Sequence, residues 1–196
     1  MLNFAYQEHV RSYYFDSRNQ DFQFPPLTQI EHADVCVIGA GFFGLSAALE
    51  LAEKGKKVIV LEGARVGFGA SGRSGGQAIN GFEEGIDEYV KQVGEDKAHK
   101  LWNMSLEAID IIDERIEKYG IQCDWKKGYA TLALNERRMD DLIEIEKESH
   151  ENFGYQNMQL WDKAKLKQHL GSDIYVGGLF DSNSGHLHPL NYCLGL

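Results

Sequence analysis

The segment Gly39-Ala40-Gly41-Phe42-Phe43-Gly44 has the residue types and spacing of a turn that cradles phosphates. Each glycine has a separate reason. Gly39 permits a tight turn, Gly41 lets a pyrophosphate approach the backbone, and Gly44 lets the next helix pack close to a sheet. The first turn of such a helix offers N–H groups to phosphate oxygens. Glu62 follows at the distance expected of a carboxylate that accepts hydrogen bonds from ribose hydroxyls. The chemistry these residues point to is the binding of a dinucleotide.

A lone Gly-x-Gly-x-x-Gly is a weak signal, so the flanking elements must carry it. Val35, Cys36, Val37 and Ile38 form a short apolar run, the pattern of a strand buried on both faces of a parallel sheet. Leu45, Ala48, Leu49 and Ala52 then recur at helical spacing, and Gly55 is a natural stop. Val58–Leu61 reads as a second buried strand ending at Glu62. Strand, turn, helix and parallel strand make one βαβ unit. Cys36, inside the first strand, is expected to be an inert core residue.

FAD and NAD both use this unit, so the next segment decides. Residues 63–85 are rich in glycine and poor in large apolar residues, the mark of a functional loop ordered by a ligand. Within it, Arg65 to Gln77 offers small residues, successive backbone donors, the hydroxyls of Ser71 and Ser74, and two guanidinium groups. Such a loop can run along a pyrophosphate towards a flavin ring, with Arg65 and Arg73 supplying positive charge. The candidate cofactor-binding residues are therefore Gly39, Ala40, Gly41, Phe42, Phe43, Gly44, Glu62, Gly63, Ala64, Arg65, Gly69, Ala70, Ser71, Arg73, Gly75, Gly76 and Gln77.

Further along, a helix is expected from about Asp87 to Tyr119, broken near Gly94. Its buried face steps through Trp102, Leu106, Ile109, Ile112, Ile116 and Tyr119. Gly128 to Leu134 reads as a strand. Glu136 to Phe153 reads as a polar helix anchored by Met139, Leu142 and Ile143. Asp162 suits the N-cap of a short helix. Tyr175 to Phe180 reads as a strand, Asp181-Ser182-Asn183-Ser184-Gly185 as a turn, and Pro189 opens a last helix. Residues 1–32, aromatic and charged without period, read as an arm lying on the surface. The three tryptophans Trp102, Trp125 and Trp161 read as packing residues. His186 and His188 lack a third ligand at suitable spacing, so no metal site is expected.

The chain has 196 residues, 20 basic and 30 acidic, for a net charge of −10, which speaks against nucleic acid. No stretch suits a membrane span, and the first twenty residues hold no apolar signal region. Three scattered cysteines, Cys36, Cys123 and Cys193, fit a reducing cytoplasm rather than a disulfide framework or a zinc site.

The run VCVIGAGFFGLSAALELAEKGKKVIVLEGARVGFGASGRSGGQ resembles the N-terminal signature of the FAD-dependent amine and amino-acid oxidoreductases, the D-amino-acid-oxidase-like (DAO) superfamily. Ser12-Tyr13-Tyr14, Cys123-Asp124-Trp125 and Gly185-His186-Leu187-His188-Pro189-Leu190-Asn191 extend the resemblance over nearly the whole chain. The last segment leans towards the branch that oxidises gamma-glutamylputrescine. The resemblance implies an oxidase. A hydride would pass from an amine-bearing carbon to flavin, the imine would hydrolyse to aldehyde and ammonia, and oxygen would be reduced to hydrogen peroxide. It matches Gly39, Gly41, Gly44 and Glu62 to the ADP-binding motif. Ala70, Ser71, Arg73, Gly75, Gly76 and Gln77 match the loop towards the flavin ring.

Members of that family continue well beyond residue 196. The implied architecture is an α/β fold: an arm over 1–32, a Rossmann-like FAD-binding βαβ unit and flavin loop over 33–80, and helices with the start of a substrate domain over 81–196. The sheet is expected to be incomplete, exposing apolar surface through which the chain could associate. The expected partners are a small amine and oxygen. Two further readings stay open: a non-catalytic fragment that binds a dinucleotide, and half of an NAD-dependent dehydrogenase, which the GASGRSGGQ loop disfavours.

Overall fold

A computed structural model describes residues 7–82 and 85–196 of the chain. Met1–Tyr6 of the expected arm, and Glu83 and Glu84 of the glycine-rich segment, lie outside the described residues. In chain order the elements are α1 (Tyr13–Asp16), β1 (Val35–Ile38), α2 (Phe42–Glu53), β2 (Val58–Leu61) and β3 (Gln77–Ala78). Then come α3 (Ile86–Val93), α4 (Glu95–Tyr119), β4 (Lys126–Ala133), α5 (Glu136–Phe153), β5 (Met158–Asp162), α6 (Lys163–Lys167), β6 (Gly177–His186) and α7 (Pro189–Gly195). The fold is α/β, with a Rossmann-like βαβ unit whose sheet is partial.

The chain divides into two compact units that cut across the expected boundaries. One contains residues up to Gly76, Asp113–Trp125 and Leu187–Leu196; the other contains Gln77–Ile112 and Lys126–His186. Residues 81–196 are shared between the two units. The last turns of α4 and the whole of α7 pack with the βαβ unit instead.

In the first unit β1 and β2 pair in parallel, from Val35 opposite Val58 to Ile38 opposite Leu61. Between them α2 ends where the Gly55 backbone turns left-handed at φ +76°, a conformation that costs glycine little. Arg115, on the last turns of α4, is almost fully buried and clamps α2. Its guanidinium donates to Ser46 Oγ at 2.9 Å and to Glu50 Oε1 at 3.1 Å. Lys118 Nζ and Tyr119 OH both donate to Glu53 Oε1 one turn further along. The arm docks on the same unit. Asn19 N–H donates to Asn191 Oδ1 at 3.0 Å, and Tyr14 lies edge-on to the His188 ring.

The apolar run of β1 suggested burial on both faces. Here the structure corrects the sequence reading: Ile38 is 87% exposed and Cys36 is also exposed. The sheet of this unit has two strands; alternate residues of β1 are exposed while those of β2 are half-buried.

In the second unit β6 is central and antiparallel to β3, β4 and β5. Gly128, at φ +104°, sits where the β4 register shifts between Lys127 and Tyr129, making a bulge. Ala133, Leu142 and Leu179 form the core, with Met139, Met158, Leu160 and Val176 packed on it. Met139 and Leu142 thus anchor α5 as expected, whereas Ile143 is 44% exposed on its outer side. Asn135 caps α5 by accepting from Arg138 N–H, a bond type that contributes about 1 kcal/mol. Asp162 caps α6 in the same way through Lys165 N–H.

Residues 181–185 are not a turn; they continue β6. Their polar side chains find partners inside the unit. Buried Asp181 accepts from Tyr155 OH at 2.7 Å, from Ser184 Oγ at 2.6 Å and from Asn183 N–H at 3.0 Å. Burial and the neighbouring Asp181 carboxylate push the Tyr155 hydroxyl well above its usual range. β5 has no clear signature in the sequence because it is only five residues long and its apolar Met158, Leu160 and Trp161 are mixed with polar Gln159 and Asp162. No helix among the described residues is long and apolar enough to cross a membrane.

Candidate cofactor site

The site in the first unit is built on the turn between β1 and α2. Gly39 takes φ +101°, and its N–H donates to Leu61 O at 2.7 Å, tying the turn to the end of β2. A Cβ on Gly44 would stand 2.0 Å from Gly39 O and 3.2 Å from Val37 Cγ1. Any side chain there would push α2 off β1, so Gly44 carries the close packing its spacing suggested. Gly41 caps α2 without a side chain. A Cβ on it would meet Ser71 Oγ at 2.8 Å, so it admits the loop hydroxyl at close range.

Glu62 stands beside this turn. Its Oε2 accepts Ala40 N–H at 2.8 Å and its Oε1 accepts Ala64 N–H at 2.9 Å. Each carboxylate oxygen keeps further lone-pair capacity for a hydroxyl. Ala40, Glu62, Gly63 and Ala64 share the wall of a cavity of about 1330 Å³ with the arm residues Phe22 and Phe24.

The glycine-rich loop is tied down by hydrogen bonds within itself and to the β1–α2 turn. Gly67 N–H donates to Ala40 O at 2.8 Å, Gly72 N–H to Gly67 O at 3.0 Å, and Arg73 N–H to Ala70 O at 3.1 Å. Ser71 Oγ accepts Phe42 N–H at 3.0 Å, so the loop touches the N-terminus of α2 directly. Gly76 packs on α7's entry: its carbonyl accepts Leu187 N–H at 2.8 Å, and a Cβ there would stand 2.0 Å from Leu187 O.

The sequence-expected residues thus fall into groups. Gly39, Ala40, Gly41, Glu62, Gly63 and Ala64 converge at the strand ends. Phe42, Ser71 and, through the loop's own bonds, Gly69, Ala70 and Arg73 flank the start of α2. Arg73 is exposed, with its Nε donating to Gly69 O and its guanidinium over the Phe68 ring. Phe43 is 89% exposed, and Gly75 is exposed as well. Gln77 belongs to the second unit, where it opens β3 opposite His186.

Arg65 departs from its expected role. It is 7% exposed, and its guanidinium makes a bidentate contact with Glu8 at 2.9–3.1 Å and donates to Phe22 O at 3.0 Å. Its charge fastens the arm to the βαβ unit, because Glu8 offers a carboxylate that the fork geometry of arginine matches. The sequence did not reveal Glu8, Phe22 or Phe24 as site residues, since an arm without periodicity gives no contact pattern. His188 was read as a residue of the segment that carries the resemblance, making polar contacts rather than binding a metal. In the structure its Nδ1 accepts Asn191 N–H at 3.1 Å and caps α7, while Nε2 lies 3.1 Å from Ser17 Oγ.

The fit to a dinucleotide is geometric. Gly39 shapes the turn, Gly41 leaves the start of α2 open at the loop hydroxyl, Gly44 lets α2 pack on β1, and a carboxylate stands at the edge of the turn. A family model described as FAD dependent oxidoreductase matches residues 34–196. The chain belongs to this DAO family of oxidoreductases, whose cofactor is FAD. It is 97% identical over 196 residues to the probable oxidoreductase OrdL of Haemophilus influenzae, spanning all of this chain and 46% of that protein. It is 44% identical over 188 residues to the gamma-glutamylputrescine oxidoreductase of Escherichia coli K12, covering 96% of this chain and 44% of that one. The L-amino acid deaminase of Proteus myxofaciens shares the fold with a TM-score of 0.71 at 20% identity, over 91% of this chain and 38% of that one. The chain therefore spans a little under half the length of the curated relatives it matches.

Proposed function

We propose that this chain supplies the FAD-holding part of an amine oxidase that acts on a gamma-glutamylputrescine-like substrate. The observation that carries the reading is the placement of the Glu62 carboxylate on Ala40 N–H, beside a glycine turn that leaves no side chain in the cradle. When bound, FAD supplies the hydride acceptor that converts an amine to an imine, and passes the electron pair to oxygen to give hydrogen peroxide. Water then hydrolyses the imine to aldehyde and ammonia.

The chain's own residues bind and orient. Glu62 would accept ribose hydroxyls. The opening N–H groups of α2 would face the pyrophosphate, with Gly41 allowing the approach. Ser71 and Arg73, with the loop from Gly69 to Gly76, would flank the path towards the ring. The cavity walled by Phe22 and Phe24 would take the adenosine end and exclude water from it. The substrate assignment rests on the similarity to the Escherichia coli enzyme. It carries with it a place in putrescine breakdown in the cytoplasm.

The test is direct titration of the purified chain with FAD, read by quenching of flavin fluorescence and by thermal shift. Saturable binding that ADP competes away is expected. Absence of both signals would reject the reading for this chain. Peroxide release with gamma-glutamylputrescine, measured on the longer protein, tests the reaction separately.

A further inference from the structure

The second unit carries an open cavity of about 470 Å³, a volume typical of small-molecule sites. It lies entirely among residues of that unit and is independent of the flavin reading. Its walls combine two chemistries. The aromatic rings of Trp102 and Phe153, with centroids 5.1 Å apart, form one part. The carboxylates of Glu144 and Glu148, one turn apart on α5, and of Asp87 on α3 form another; Asp141 also lines the cavity but is paired with Arg138 at 3.2 Å. No lysine, arginine or histidine is among its described lining residues. Burial, followed by the charges of Asp87 and Glu144, raises the Glu148 carboxyl above its usual range.

The acidic group does not stand alone. Trp102 is 7% exposed, forms part of the cavity wall, and its indole N–H has no acceptor among the described residues. Asn80 lines the same cavity, and its side-chain Nδ2 is likewise buried without an acceptor. Asn80 is held in place from behind, since its backbone N–H donates to buried Ser184 Oγ at 3.2 Å and Ser184 in turn donates to Asp181. Two positioned donors without acceptors, beside three carboxylates without a basic partner at the cavity, define a ligand with two ends.

We propose that this cavity binds an alkylammonium compound that also carries a carbonyl or amide oxygen. The ammonium would lie among Asp87, Glu144 and Glu148 and against the aromatic faces, where a cation is attracted by the ring quadrupole. The oxygen would accept from Trp102 Nε1 and Asn80 Nδ2, relieving the cost of two buried unpaired donors.

N-acetylputrescine, which has both ends, is the probe; butylamine and N-butylacetamide each have one. The 196-residue chain, labelled with nitrogen-15, is titrated with each, and the indole N–H resonance of Trp102 is followed, assigned by W102F. Saturable displacement of that resonance by N-acetylputrescine is expected. E144Q/E148Q should weaken the affinity by about tenfold or more, and N-butylacetamide should not saturate. D87N serves the same purpose if the double variant melts early. No saturable shift with N-acetylputrescine, or equal affinity in the wild type and in the carboxamide variants, would overturn the proposal.

Discussion

Glu62 Oε2 accepts the N–H of Ala40 at 2.8 Å, joining the end of β2 to the middle of the glycine turn. The contact fixes the carboxylate at the cavity wall before any ribose arrives. E62A should leave the fold nearly intact, with a stability loss of about 1 kcal/mol or less, because the side chain is exposed. FAD affinity should drop by about tenfold or more. Titration with FAD beside a thermal melt separates the two effects.

The glycines should divide by what surrounds them. G44A forces a Cβ to within 2.0 Å of Gly39 O and should cost roughly 3 kcal/mol or prevent folding. G55A meets nothing within 4 Å but must hold φ +76°, so it should cost about 1 kcal/mol. G69A, with open space and no positive φ, should be close to neutral. Urea melts of the three variants test this order.

Arg65 should be judged by the arm and not by the cofactor. R65M removes the fork that grips Glu8 and the carbonyl of Phe22. Cleavage by trypsin at Arg18, whose side chain is 20% exposed, should accelerate by about tenfold or more as the arm opens locally. An unchanged cleavage rate would show that other contacts hold the arm.

His188 sets a pH dependence. Burial lowers its pKa from the ordinary 6.5. Both ring contacts fit the neutral form, with Nδ1 accepting from Asn191 and Nε2–H donating to Ser17 Oγ. The nearby Asp124 carboxylate acts in the opposite direction. His9 is lowered as well, by burial and then by Arg65 and Arg18. A histidine with a depressed native pKa takes up its proton more readily when unfolded. Its stabilising effect is present above about pH 6.5, falls as pH drops, and levels off once the native ring is protonated. Urea midpoints between pH 5 and 8 should show this slope, and H188Q should reduce it.

The cysteines should react unequally. Burial pushes the Cys123 thiol up to about 11 and the Cys193 thiol up to about 12, so both stay protonated and shielded at pH 8. Cys36 is exposed on the uncovered face of β1. A thiol reagent should label one cysteine quickly in the native chain and three after denaturation, and mass mapping should place the first label on Cys36.

The cradle was legible in the sequence because each of its parts is dictated locally. Gly39, Gly44 and Glu62 owe their roles to turn geometry, close packing and the end of a strand, and α5 has the same ends in sequence and structure. What was not legible depends on partners distant in sequence. Arg65 reads as an anion binder until Glu8 is seen beside it. Residues 181–185 have the composition of a turn, and only Tyr155 and the neighbouring strands β3, β4 and β5 make them a strand. Cys36 reads as core because an apolar run does not say how many strands will flank it.

The first unit is stitched from three separated stretches of chain and the second from two. During synthesis from the N-terminus, β1, α2 and β2 emerge early. The helix that covers Gly67 and Gly72, through Leu190 and Cys193, follows only after residues 77–186 have been made. The nucleotide cradle therefore gains this cover across a long stretch of intervening synthesis, and its packing is tied to segments that leave the ribosome far apart in time.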